Sequence, residues 1–455
     1  MSRPRNTGSF FWGFILIVVG TIFLLKNLGY EIPIWAGVAR YWPVLLIVWG
    51  LIKLVDYGRW KKAGQPGPLF GAGEVVLLII VILSGTALTA ASNVGSDFDS
   101  FFEFAGVNIL DITGKEYQFT EHHEQVVPSG SSIEIINRYG SVEVTPADTD
   151  QIVLEVAKSI TASEEKLAEE LSKDFNYSIV EEANRYRVIS NYNRDDNRLR
   201  GRRFRTSLTV KVPKRSNVTI NNRYGGVEIS DITGDQHVEN GFGPAVVSRI
   251  AGAVDIKNRN DRVVVEDVTG AAVIVNEFAD VEVRRIGGRL ELKDRNGNVE
   301  VEEVKGDADI SNQFGSINLK DIQGALTVNA RNTSVEALRV GGNVAVENQF
   351  HYVTLEDVKG TVSVVNRNGN VELRYTEPPR NNIRVTNKFS DVRMILPSSS
   401  SFSIDARTRF ASVSTDFDEL SARDEPDRNS LTGKVGSGGP EIRIENMNGS
   451  IHISK

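Results

Sequence analysis

The sequence predicts an all-β solenoid, β-helix-like, preceded by an N-terminal α-helical transmembrane region. Three observations carry that prediction. A short Asn-rich pattern returns at a constant interval, from Asn222 to Asn240, Asn258 and Asn276 and on to Asn366-Arg367-Asn368. Most copies are followed by alternating apolar and polar residues, as in Val281-Glu282-Val283 and Val299-Glu300-Val301. Before this array come three long apolar stretches, and all five tryptophans lie at or before Trp60.

Alternation at period two marks strands with one buried face, and the recurring glycines (Gly287-Gly288, Gly306, Gly324, Gly341-Gly342) supply corners. A fixed period of this length implies stacked coils, each burying its apolar face on its neighbours. The third position of the pattern alternates between Phe242, Phe278, Phe314 and Phe350 on one side and Asn260, Asn296, Asn332 and Asn368 on the other. Like side chains form ladders where strands stack about 4.8 Å apart. The alternation therefore predicts a 36-residue structural unit, two intervals long, with buried Phe over Phe and Asn over Asn; an 18-residue turn, one interval long, is the alternative. The amides of the Asn series are expected to satisfy polar groups at the corners.

The N-terminal apolar stretches are Phe10–Leu25, Tyr41–Val55 and Leu69–Ala91. A spanning helix needs about 20 apolar residues, which the third supplies and the first two reach only if flanking residues such as Lys26 and Lys53 snorkel. Tryptophans beside apolar runs point to a membrane–water interface. Residues 1–91 hold 8 Lys/Arg against 3 Asp/Glu, a net of +5, while the remainder holds 44 against 56, a net of −12. Arg59, Lys61 and Lys62 precede the third stretch, and Asp97, Asp99 and Glu103 follow it. The positive-inside rule then puts the N-terminus in the cytoplasm and the solenoid outside, in an extracytoplasmic position. Cleavage of a signal peptide near Ala91 is the rival reading, weakened by the two apolar runs before it.

The expected organisation is residues 1–91 as the transmembrane region, 92–117 as a juxtamembrane linker, 118–221 as first β coils with one capping helix, and 222–455 as the repetitive solenoid. Within the 118–221 segment, Thr161-Ala162-Ser163-Glu164 reads as a capping box opening a helix with Leu167, Ala168 and Leu171 on one face. The same segment holds an arginine cluster, Arg198, Arg200, Arg202, Arg203 and Arg205, a candidate site for an anionic surface polymer, lipid headgroups or an acidic partner. Solvated charges on a hairpin tip are the alternative.

Composition bounds the chemistry. The chain has no cysteine, which excludes disulfides and thiolate sites. Its acidic body argues against nucleic acid as a partner. The five histidines are scattered, and adjacent His122 and His123 on a strand point to opposite faces. No nucleophile elbow, P-loop, zinc signature or calcium nonapeptide occurs, so no catalytic residue, metal or cofactor is predicted.

Two resemblances follow from the residues. Gly13 to Gly29, with Gly20 and Asn27, and Tyr41-Trp42-Pro43 to Gly50 resemble the LiaI/LiaF-type membrane region of bacterial envelope proteins. Ile133-Glu134-Ile135-Ile136-Asn137-Arg138-Tyr139-Gly140, the repeated Asn-x-(Phe/Asn) units and the ending Asn446-Met447-Asn448-Gly449 resemble the toastrack, or "putative adhesin", β-solenoid family over about 118–455. The resemblance implies a cytoplasmic-membrane protein for envelope-associated binding or stress regulation, in contact with membrane lipid and a membrane or envelope protein partner. A passive adhesin or spacer, and a carbohydrate-active solenoid enzyme, are the alternatives.

Overall fold

Valine and isoleucine at alternate positions make strands whose inward faces have nowhere to go but onto the next coil. The computed structural model describes residues 115–455, except 183–184, 192–203 and 426–427. The three apolar stretches, most of the 92–117 linker, and Arg198, Arg200, Arg202 and Arg203 lie outside the described residues. Among the described residues, no helix is long and apolar enough to cross a membrane.

The chain enters through β1 (Lys115–Val126), which begins inside the segment expected as linker. It continues through β2 (Ser132–Tyr139), β3 (Val142–Ala147), β4 (Gln151–Ala162) and α1 (Glu165–Asp174). Then come β5 (Tyr177–Glu182), β6 (Arg185–Ser190), β7 (Phe204–Pro213), β8 (Asn217–Tyr224) and β9 (Val227–Ser230). From β8 onward ten coils follow one another, ending at Ile383–Thr386 and Val392–Ile395. Each has two strands, which run together as one in Ala308–Ile322 and in Leu326–Val340.

The register settles the size of the unit. Val263 pairs in parallel with Val281, Val281 with Val299, and Val299 with Ile317. Each is the 18-residue step that also brings Arg285 onto Asp267. One turn is therefore a single interval of the pattern, and the 36-residue turn is incorrect. Phe278 bridges Asn296, and Asn296 bridges Phe314, so phenylalanine and asparagine share one column. A single step is enlarged, from Val362 to Ile383, where Thr376–Arg380 bulges outward.

Inside, the coils form columns of β-branched and leucine side chains. Val281, Val283, Val299, Val301, Ile317 and Val335 are essentially free of solvent. Burying each such side chain contributes roughly 1.5–3 kcal/mol. Glycine is required where the corners approach one another. A Cβ on Gly306 would sit 2.4 Å from the Gly288 carbonyl oxygen. Gly243 also holds φ +124°, which favours glycine.

Both ends use one device against open edges. The coil of β2 and β3 stacks on β8 and β9, and its other side is covered by β6 and β7 from the inserted segment. Antiparallel β4 and β1 extend that cover. At the far end, Glu441–Glu445 and Ile451–Ser454 slide between the tenth coil and Phe402–Thr415. Phe402–Thr408 is closed off by antiparallel Arg428–Val435. At the far end the last layer in space is thus not the last in sequence.

Helix α1 lies where it was expected, with Ala168, Leu171 and Ser172 buried, but its start differs. Thr161 belongs to β4, the N-cap is Glu164, and no side-chain capping bond forms. The strand pairing of β4 with β1 and β7 outcompetes the capping box. Lys158 anchors the helix instead. It is 1% exposed and its ammonium donates to Glu121 and to the carbonyls of Ser172 and Phe175 at the helix C-terminus. A cation there meets the negative end of the helix dipole.

Candidate functional site: two corners of the solenoid

Each coil turns twice, and the two corners carry different chemistry. The first corner holds the Asn-x-(Phe/Asn) pattern. Its leading asparagine is buried and bonds the turn: Asn240 Nδ2 donates to the Gly243 carbonyl at 2.8 Å, and Asn258 to that of Asp261 at 2.6 Å. Two coils lack this amide, having Asp294 and Ala330 in its place. There the asparagine of the following coil reaches back, Asn312 to the Gly297 carbonyl at 2.9 Å and Asn348 to that of Thr333 at 3.0 Å.

Asp294 is consequently a buried carboxyl to which no well-aligned hydrogen bond reaches. Burial pushes its pKa up to about 6, against the weaker pull of the nearby Arg295 backbone N–H and Asn276 amide.

The third position of the pattern faces outward. Phe278 is 41% exposed and Phe314 47%, and Phe242, Phe350 and Phe389 are similarly open. The expectation of buried phenylalanines is incorrect. The intervening asparagines are half-buried because their amides bond the previous coil, Asn260 to the Gly241 carbonyl at 3.1 Å and Asn296 to that of Glu277 at 3.3 Å. Toward β2 the column becomes wholly aromatic. Tyr139 stacks on Tyr224 at 5.7 Å between centroids, and Tyr224 on Phe242 at 5.1 Å. The residue before each outward asparagine is an arginine, and Arg295, Arg331 and Arg367 are exposed.

The second corner carries a ladder that the sequence reading missed. Asp231, Arg249, Asp267, Arg285, Glu303, Asp321, Arg339 and Asp357 recur at the coil interval, all at φ between 53° and 64°. Bidentate pairs join successive coils: Arg249 with Asp231, Arg285 with Asp267 and Arg339 with Asp321, all at 2.6–3.0 Å. Each pair holds its carboxyl below the usual aspartate range. The signal was present as (Asp/Arg)-(Val/Ile)-x-Gly, for example Asp267-Val268-Thr269-Gly270. A groove of about 1220 Å3 follows this corner from Asp267 to Arg380. Along it Arg285 pairs with Asp267 and Arg339 with Asp321, which makes the ladder a structural clasp between coils.

Of the arginine cluster only Arg205 is described; it is exposed on β7, opposite Ser159 of β4. His122 and His123 contact Glu124 and Glu121 respectively. Among the described residues, no three metal-ligating side chains gather.

Residues 131–454 match the family described as Toastrack DUF4097. The chain belongs to this family. Residues 10–54 match the LiaI-LiaF-like transmembrane region, so a membrane region precedes the toastrack solenoid. Among solved structures, one described as a "putative cell adhesion protein" from Clostridium sporogenes is similar at 9% identity, over 74% of this chain and 99% of its own, with a TM-score of 0.15. A "putative adhesin" from Bacteroides fragilis is 12% identical over 74% of this chain and 96% of its own, with a TM-score of 0.20. Another from Parabacteroides distasonis is 14% identical over 61% and 97%, with a TM-score of 0.22. No curated protein matches the chain.

Proposed function

We propose that this protein is a membrane-anchored envelope-binding protein whose toastrack solenoid lies outside the cytoplasmic membrane and engages an envelope component along its aromatic corner. The helical region then links that engagement to neighbours in the membrane, as an envelope-stress sensor requires. The observation that carries this reading is the column of exposed phenylalanines at a constant step on a rigid solenoid. Large apolar side chains exposed repeatedly along one line of the surface mark an interaction site, and a solenoid extends such a site over many coils.

A photoreactive amino acid placed at Phe314 of the full chain in living cells tests the proposal. Envelope adducts should form there and not at Lys434, an exposed residue of the end-covering hairpin. Equal labelling at both positions, or none at Phe278, Phe314 and Phe350, would sink it.

A further inference from the structure

The aromatic column has a spacing as well as a chemistry. Phe242, Phe278, Phe314 and Phe350 recur on every second coil, with an asparagine row between each pair. At a coil spacing of about 4.8 Å, successive rings stand about 9.6 Å apart. This rise is close to that of one disaccharide in an extended β-1,4-linked glycan. In such a glycan each sugar is rotated by half a turn relative to the last, so only alternate rings present the same face. A wall with equivalent platforms on alternate coils matches that screw symmetry.

The rows between the platforms match it too. Asn296, Asn332 and Asn368 spend one amide hydrogen bond on the previous coil or stand beside it, leaving polar edges at the surface. Arg295, Arg331 and Arg367 accompany them, exposed and making no ion pair among the described residues. A guanidinium recognises a carboxylate in a bidentate manner. The surface therefore presents, per two coils, one flat apolar platform and one cation flanked by an amide.

Resting on the envelope-binding reading, we infer that the occupant of this corner is an extended β-1,4-linked glycan bearing one carboxylate-containing substituent per disaccharide, laid along the solenoid axis with alternate sugars on the phenylalanines. Sugar C–H faces pack on the rings, as apolar faces pack on aromatic side chains generally.

The test uses the full chain in detergent micelles, sedimented with purified murein sacculi and, separately, with insoluble chitin. Phe278→Asn/Phe314→Asn/Phe350→Asn is the informative variant, because the column already holds asparagine on alternate coils and should keep its melting temperature. It should weaken sedimentation with both polymers by at least about tenfold. Arg295→Gln/Arg331→Gln/Arg367→Gln should lose sacculi in a salt-sensitive manner while keeping chitin. Asn296→Phe/Asn332→Phe keeps the platforms but crowds the gaps, and should also weaken both.

Sacculi binding that survives the Phe→Asn changes would overturn the glycan assignment and leave envelope binding intact. So would cross-linking from Phe314 to a protein, or to a second copy of this chain, without any sedimentation by sacculi. No sedimentation and no envelope adduct would remove both readings.

Discussion

Asn296 lies one coil from Phe278, bridged to it in parallel, and its side-chain amide donates to the Glu277 carbonyl at 3.3 Å. Unlike residues can thus share the column, because the asparagine bonds inward to the preceding backbone while the phenylalanine projects into solvent. Removing Asp294–Ser311 takes out one complete coil and joins Lys293 to Asn312, which preserves every buried column. Removing Asp294–Asn329 takes out two. Both deletions should fold, and thermal melts should show the shorter one no less stable than the longer, since solenoid stability is close to a sum over units. Collapse of the one-coil deletion alone would restore the larger unit.

The strands, their inward faces and the stacked-coil architecture were legible because alternation at period two leaves one arrangement that hides the valines. The phenylalanines misled because Phe242 shares the parity of buried Asn240. Parity holds only along a straight strand, and the chain turns between them, at the Asn240–Gly243 bond. The Asp/Arg ladder was written in the sequence at the same period. Its meaning was hidden because the arginine and glutamate rungs are poor markers of left-handed backbone, where glycine, asparagine and aspartate are expected. The capping box failed for another reason: Thr161 is held in β4, opposite Glu116 of β1. In each case long-range pairing decided what the local pattern left open.

Lys158 makes the cap dependent on a buried charge. Burial lowers its pKa, and Glu121 opposes that shift. Glu121→Gln should loosen α1 by roughly 3–5 kcal/mol, the cost of stranding a buried partner. Lys158→Met with Glu121→Gln should cost less than the sum of the two single changes. Amide exchange across Glu165–Asp174 reads the effect, and strict additivity would show that the pair is not coupled.

Tyr375 follows the strand Val371–Arg374, near where Val340 and Val358 close the strands of earlier coils. Its hydroxyl is buried without a hydrogen-bond partner, and its pKa is pushed upward by that burial. Removing an unsatisfied group removes its desolvation cost, so Tyr375→Phe should raise stability by about 1 kcal/mol. A lower melting temperature would mean that the hydroxyl is satisfied in solution.

The proposed orientation has a direct assay because the native chain lacks cysteine. Ser363→Cys, on the outward face of Val362–Val365, should react with a membrane-impermeant thiol reagent in intact spheroplasts. Gly64→Cys should react only after lysis, given the basic residues Arg59, Lys61 and Lys62 beside it. The reverse pattern would place the solenoid in the cytoplasm.

Asp294 gives the solenoid a pH dependence of known sign. Its folded pKa, about 6, stands above the ordinary aspartate value of 3.8. Below the unfolded value both states are protonated and the side chain costs nothing electrostatically. As pH rises through the window from that value to about 6, the unfolded chain ionises first, so stability falls; above about 6 the loss is constant. Its full size is on the order of 2–3 kcal/mol. Asp294→Asn removes the loss and supplies the amide found in neighbouring coils, whose donation the Gly297 carbonyl can accept alongside that of Asn312, as the Gly369 carbonyl accepts from both Asn366 and Asn387. The variant should therefore melt higher than the native chain above about pH 6, with the advantage shrinking toward about pH 4 to the contribution of the added hydrogen bond. An advantage independent of pH would show that Asp294 ionises normally in the folded coil, and a disadvantage at high pH would show that its charge has a partner.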